Sequence, residues 1–175
     1  TFKIIFSGST HPAWYGNFIW NHFDKTRMLN RNEIINFVLK EFESEIYFLK
    51  NKKDLKNAQK SKKKIILSLN DRLVKKTSAK LPNLDYLKLV AKSEFFLTAP
   101  GTVMPLCHHL IESIKFGTIP ITSYGDLIYP KLNENQSLPF QTFNDLHLMI
   151  EKALNMKKEE IEERQINLIK FYKKN

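Results

Sequence analysis

The feature that most constrains this chain is a change of hydrophobic period inside residues 92–124, KSEFFLTAPGTVMPLCHHLIESIKFGTIPITSY. The apolar run Phe95-Phe96-Leu97 has strand character and is bounded by Pro100-Gly101. Beyond it Leu106, Leu110, Ile111 and Ile114 recur at about 3.6 residues, the spacing of one helix face. Gly117 falls where a left-handed cap ends such a helix, and Ile119 and Ile121 start a second short buried run. Two strands joined by one helix within about thirty residues predict a βαβ unit. In these units ligands lie beyond the carboxyl ends of the strands, where the next helix aims unpaired backbone N–H groups outward. That position is Gly101-Thr102-Val103, with Cys107, His108 and His109 on the first turn or two of the helix. Glycine lets backbone approach a phosphate closely, and the Thr102 hydroxyl adds a donor. The pattern points to an anion site.

The same alternation continues on either side. Residues 2–7 read as a buried strand ending at Gly8, with Ser9, Thr10 and His11 in a second small-residue turn. If the two strands are parallel, both turns open on one edge, and Ser9 and Thr10 can line one crevice. The segment from Pro12 to Leu29 is rich in aromatic residues, among them Trp14, Tyr15, Phe18, Trp20 and Phe23. Its rings either cover a sheet edge or dock on a neighbouring domain or acceptor. Asn30-Arg-Asn-Glu33 has the form of a capping box opening a helix that runs to about Phe42. Strands are expected at residues 45–49 and 64–69, joined by a short helix or loop around residues 54–60. A polar, basic stretch follows, in which Arg72, Lys75 and Lys76 either reach a diphosphate or form an exposed loop without a ligand. A helix over residues 85–93 turns Tyr86, Leu87, Val90 and Ala91 inward. Residues 137–140 make at best a short edge strand, since Pro139 cannot donate to a central ladder. Helices from Asn144 and from about Lys158 close the chain. The expected fold is one α/β domain over residues 1–175, doubly wound and Rossmann-like, with a mainly parallel sheet of five to six strands and helices on both faces.

Composition decides between classes of partner. The 28 Lys+Arg against 18 Asp+Glu leave a formal charge of +10, which favours anionic partners. Much of it lies in lysine runs such as Lys60-Ser-Lys-Lys-Lys, without interleaved arginine and aromatic residues. These read as a solvated surface rather than a nucleic-acid interface, and a peripheral contact with a membrane through them stays open. Cys107 is the single cysteine, so an internal disulfide is excluded and a reducing, cytoplasmic compartment is the expectation. No apolar run reaches the roughly 18 residues needed to span a bilayer as a helix. The two histidines are adjacent rather than four apart, and neither an Asp-x-Asp pair nor a metal-spaced cluster is evident, so no bound metal or cofactor is expected. The chain opens on Thr1 and enters a strand at once, which suggests a piece of a longer protein.

With these elements in place, the segment from Leu84 to Gly101, LDYLKLVAKSEFFLTAPG, followed by His109 to Ile121, HLIESIKFGTIPI, resembles the donor-binding C-terminal half of GT-B glycosyltransferases. It is most similar to exostosin-like and bacterial surface-polysaccharide enzymes. The resemblance covers about residues 84–121 and is loose elsewhere. It implies a nucleotide-sugar substrate, a glycan or glycolipid acceptor, a missing N-terminal acceptor-binding domain, and no nucleic acid. The resemblance puts Glu112 at the carboxylate that accepts hydrogen bonds from the ribose hydroxyls, and Gly101 and Thr102 at the diphosphate turn. In the resemblance His109 falls where exostosin-like enzymes often carry arginine, and His108 is the alternative donor to phosphate. Gly8, Ser9, Thr10 and Arg72 complete the candidate site. Met104 occupies the position of a second acidic residue found in many retaining members, which leans towards inversion. No catalytic base is assigned, because in inverting members it usually comes from the N-terminal, acceptor-binding domain. The implied location is cytoplasmic, at the inner face of the membrane.

Two other classes compete. A basic module for nucleic acid or an anionic surface would use the net charge alone, with steep salt dependence. A nucleotide-sugar epimerase of the same fold would share the Glu, Gly and Pro spacing.

Overall fold

A computed structural model describes residues 1–11, 15, 29–51, 53–69, 81–102 and 106–175 of the chain. Six strands form one sheet: β1 (Phe2–Gly8), β2 (Ile46–Phe48), β3 (Ile65–Leu69), β4 (Ser93–Leu97), β5 (Ile119–Thr122) and β6 (Leu138–Pro139). The helices among the described residues are α1 (Arg31–Glu41), α2 (Asp54–Lys60), α3 (Asn83–Ala91), α4 (His108–Phe116), α5 (Phe143–Asn155) and α6 (Lys158–Lys174). All strand pairs are parallel, in the spatial order β2-β3-β1-β4-β5-β6. The fold is therefore a doubly wound, Rossmann-like α/β sheet. The usual dinucleotide-binding order is 3-2-1-4-5-6, and here the second and third strands have exchanged places. The carboxyl ends of the neighbouring strands β1 and β4 still lead into helices on opposite faces of the sheet, which leaves a switch point between them.

Right-handed crossovers then decide which face each helix covers. The chain moves outward from β1 to the edge strand β2 through α1, and back across the sheet through α2, α3 and α4. The first helix must therefore lie on the face opposite the other three. The cores agree. Ile4, Phe6, Ile65, Leu67, Phe95, Leu97, Ile119 and Ile121 pack on the α1 and α5 side with Ile34, Ile35, Leu146 and Ile150. Ile5, Ile66 and Phe96, the alternate positions of the same strands, pack with Tyr86, Leu89 and Val90 of α3. A further cluster joins Cys107, Leu110 and Ile114 to Tyr124 and to Leu168 of α6. Strands that are buried on both faces read as continuous apolar runs, as these do.

Local signals set the element ends. Asn30 Oδ1 accepts from Glu33 N at 2.9 Å and Asn30 N donates to Glu33 Oε2 at 2.7 Å, so α1 opens on the expected capping box. A second box, Thr142 with Asp145, opens α5 one residue before the expected start. The β6 strand lies at the sheet edge, where Pro139 costs no ladder bond. Two expectations are corrected. Ala91 on α3 is exposed and Leu89 takes the inward position, because the helix runs Asn83–Ala91 with its buried stripe on Asp85, Tyr86, Leu89 and Val90, which leaves Ala91 on the other face. The helix after β4 begins only at His108, so Gly101 and Thr102 lie in the connection before it and not at its first turn. Among the described residues no helix is long and apolar enough to cross a membrane.

Gly117 ends α4 with φ of 71°, the left-handed cap that the sequence predicts. Its N–H bonds Ile114 O at 3.0 Å, and Thr118 N closes on Ser113 O at 2.9 Å. A Cβ there would also meet Ile169 Cδ1 and Cγ1 of α6 at 2.9 Å. Gly117→Ala is expected to cost about 1–2 kcal/mol and to lower Tm by roughly 3–8 °C in a circular dichroism melt. Adding Ile169→Ala should recover only the steric part of that loss. An unchanged Tm in Gly117→Ala would contradict the left-handed cap.

Candidate functional site

The site is built where β1 and β4 end side by side. Both strands leave the sheet at their carboxyl ends through small-residue segments, Gly8-Ser9-Thr10 and Thr98-Ala99-Pro100-Gly101. Their carbonyl groups turn inward there and need donors. Arg31, the first residue of α1 and buried at 3% exposure, supplies them. Its Nη1 donates to Ser9 O at 3.1 Å, its Nη2 to Ala99 O at 3.2 Å, and its Nε to Pro100 O at 3.1 Å. The Tyr15 ring lies under the guanidinium, 3.9 Å from its carbon to the ring centroid. The same Nη2 also lies 3.6 Å from Cys107 Sγ. One side chain thus ties both strand ends to the start of α4.

Cys107 is the cap residue of α4, and His108 and His109 are its first two helical residues. The Cys107 sulfur lies 3.8 Å from His108 Nδ1. Burial pushes the Cys107 thiol up, but the rings of His108 and His109 and the charge of Arg31 outweigh it and bring the thiol down to about 4. The contact with Cys107 in turn raises His108 above the ordinary imidazole range, against the opposing effect of burial. The pair therefore reads as thiolate and imidazolium. His109, 6% exposed, is boxed by aromatic rings, 5.4 Å from Phe96 and 5.7 Å from Tyr86 between centroids. Gly8 allows this: a Cβ on it would sit 3.2 Å from His109 Cε1. The buried Nδ1 of His109 has no hydrogen-bond partner. Donor atoms of Cys107, His108 and His109 lie within 4.8 Å of one another, the group among the described residues with the composition and spacing to hold a metal ion.

One turn further along α4, Glu112 is anchored rather than solvated. Tyr86 on α3 donates its hydroxyl to Glu112 Oε2 at 2.6 Å, and His108 Nε2 stands 4.0 Å from the same oxygen. Burial and the bond to Glu112 both push the Tyr86 phenol up, so it stays a donor at all ordinary pH. Beside this pair opens a pocket of about 250 Å³ lined by Ser7, Gly8, Asn83, Tyr86, His108 and His109, with Leu81 at its side. Two imidazoles and a glycine strand end line this pocket, and the anchored carboxylate stands next to it, a set of groups that can bind hydroxyls and an anion together.

Of the residues singled out in the sequence, Gly8, His108 and His109 line this pocket, and Glu112 lies beside it, bonded to the lining residue Tyr86. The structure separates others. Gly101 and Thr102 are half-buried and do not line the pocket, because seven residues of connection stand between Pro100 and His108. Thr10 is wholly buried and cannot line an open crevice, while Ser9 turns its carbonyl to Arg31 and its hydroxyl to His11 N at 3.3 Å. Arg72, Lys75, Lys76 and Met104 lie outside the described residues. Sequence reasoning missed Arg31 and the anchoring role of Tyr86. The signal for Tyr86 was its inward helical position with a hydroxyl, which a buried tyrosine must satisfy. Arg31 left no comparable signal, being one more charged residue inside a capping box.

Two measurements follow from this geometry. Arg31→Met would strip three carbonyl groups, two of them in buried bonds, of their donor and is expected to cost about 3 kcal/mol or more in urea unfolding. The thiolate absorbance of Cys107, followed in EDTA, should persist down to about pH 4 instead of vanishing below roughly 8.5. The depressed thiol binds fewer protons folded than unfolded, so its stabilising contribution is complete above about 8.5 and fades as pH falls towards the folded value. His108→Ala should move the midpoint upward, and a wild-type midpoint near 8.5 would contradict the thiolate.

No protein-family model matches this chain, and no curated protein matches its sequence.

Proposed function

We propose that the chain is the nucleotide-sugar donor-binding domain of a GT-B glycosyltransferase, which moves a sugar from a nucleotide diphosphate to an acceptor hydroxyl in surface polysaccharide or lipopolysaccharide synthesis. The observation that carries this reading is Glu112, its carboxylate fixed by Tyr86 at 2.6 Å beside a pocket at the β1/β4 switch point. A carboxylate can accept from two vicinal hydroxyls, and only one of its oxygens is engaged by Tyr86. That is the chemistry a ribose requires. Ligands of open parallel sheets sit at such switch points. His108 is exposed at the amino end of α4, where an imidazolium and the first backbone N–H groups favour a diphosphate. The resemblance over residues 84–121 supports the same assignment.

In this reading the domain stabilises the leaving group. Charge builds on the nucleotide diphosphate as the bond to the sugar breaks, and fixed donors aimed at it lower the barrier. The acceptor and its base belong to another domain. One part of the lysine-rich surface stands away from the donor: Lys60, Lys62, Lys63 and Lys64 lie at the amino end of β3, at the edge of the sheet opposite the pocket. A contact with an anionic membrane through that surface at the cytoplasmic face would leave the pocket open.

Calorimetric titration with UDP, GDP and CMP and their sugars tests the proposal. At least one is expected to bind in the micromolar range, with Glu112→Ala weakening it by tenfold or more and Tyr86→Phe by less, each step of ten corresponding to about 1.4 kcal/mol. Binding of DNA, RNA or anionic vesicles with steep salt dependence and no response to Glu112→Ala would instead favour the basic-module reading. No nucleotide bound below millimolar would sink the site assignment.

A further inference from the structure

We infer that Cys107, His108 and His109 form a binding site for a thiophilic transition-metal ion, Zn²⁺ first and Cu⁺ second. The inference stands on donor geometry and does not rest on the nucleotide-sugar reading. Adjacent histidines on a helix point to different faces, which is why the sequence alone argued against a metal. The structure escapes that limit because α4 begins at His108. Cys107, still in extended backbone with φ of −98° and ψ of 143°, folds its sulfur back towards the imidazole donors.

Four observations support the cluster. The donor atoms of the three residues lie within 4.8 Å of one another, and the Cys107 Sγ to His108 Nδ1 distance of 3.8 Å approaches the edge of a tetrahedral sulfur and nitrogen shell. His108 presents Nδ1 to the sulfur while its Nε2 faces Glu112 at 4.0 Å. A carboxylate there can fix the ligating tautomer once the gap closes to hydrogen-bond length. His109 is buried with an Nδ1 that has no hydrogen-bond partner, a cost the protein recovers if a ligand reaches it. Arg31, 3.6 Å from the sulfur, can donate to a metal-bound thiolate as an outer-shell partner. One sulfur with two imidazoles suits zinc or cuprous copper far better than magnesium or calcium, which take oxygen. Three protein donors leave one position of a four-coordinate shell for water or a ligand oxygen. His108 and His109 line the pocket, so a bound molecule approaches the ion from their side.

The test uses the intact chain. After incubation with Zn²⁺ or Cu⁺ and desalting, about one equivalent of one of these should be retained per chain. Substitution by Co²⁺ should give a thiolate-to-metal charge-transfer band and the intense visible bands of tetrahedral cobalt. Cys107→Ser should abolish the charge-transfer band, His109→Ala should weaken retention, and Glu112→Gln should lower affinity about 10- to 100-fold. Circular dichroism establishes that each variant is folded, and the cobalt spectrum of the unsubstituted chain reports sulfur ligation even where a variant does not fold. A cobalt spectrum without the thiolate band, or retention unaffected by both Cys107→Ser and His109→Ala, would overturn the inference.

Discussion

A buried guanidinium donating to the carbonyl groups of Ser9, Ala99 and Pro100 is the interaction on which the rest of the site depends. Parallel strands that end together leave inward-turned carbonyl oxygens that the ladder no longer satisfies. Arg31 meets three of them from one rigid fork, which a lysine could not do. Its charge is met, among the described residues, by these dipoles, by the face of Tyr15 and by the Cys107 sulfur. The consequence reaches through the sheet. The α1 helix lies on one face and α4 on the other, so a single side chain fixes the start of one against the start of the other.

That coupling explains how so small a crevice is furnished. With α1 turned to one face and α3 and α4 to the other, the carboxyl ends of β1 and β4 open between them. Gly8 lets the His109 ring come against the strand end, and α3 brings Tyr86 over the next turn of α4. Thr118 Oγ1, bonded to Val90 O at 2.8 Å, ties the end of α3 to the start of β5, so the two helices that carry Tyr86 and Glu112 are held in register. Each polar group of the pocket thus sits on a rigid element rather than on a loop.

Most of the fold was legible because its signals are short-range. The apolar runs at Ile4 to Phe6, Ile65 to Leu67 and Phe95 to Leu97, the capping box at Asn30 and Glu33, and the left-handed glycine at 117 each declare a local structure. Strand order is a different matter, since nothing local says that β3 rather than β2 lies beside β1. Within the site, Glu112, His108 and His109 could be read because one helix carries them. Gly101 and Thr102 were placed too close to the helix start, because the 3.6-residue apolar period begins at Leu106, before the hydrogen-bonded helix does. Arg31 and Tyr86 were missed as site residues since their roles exist only across 69 and 26 residues of chain, to Pro100 and Glu112.

The electrostatics join the two proposals. The formal charge of +10 gives the molecule a field that draws anions, yet the described lining of the pocket contains neither lysine nor arginine. Around it the Arg31 guanidinium faces the Cys107 thiolate, and the raised His108 faces Glu112, so the local charges nearly cancel. What such a pocket offers an anion is the His108 imidazolium and the amino end of α4 rather than net charge. A divalent ion held by Cys107, His108 and His109 would change that balance at the point where α4 begins and where its N–H groups already face outward. With such an ion in place, the affinity of this helix end for an anion would follow the metal rather than the lysine content of the surface.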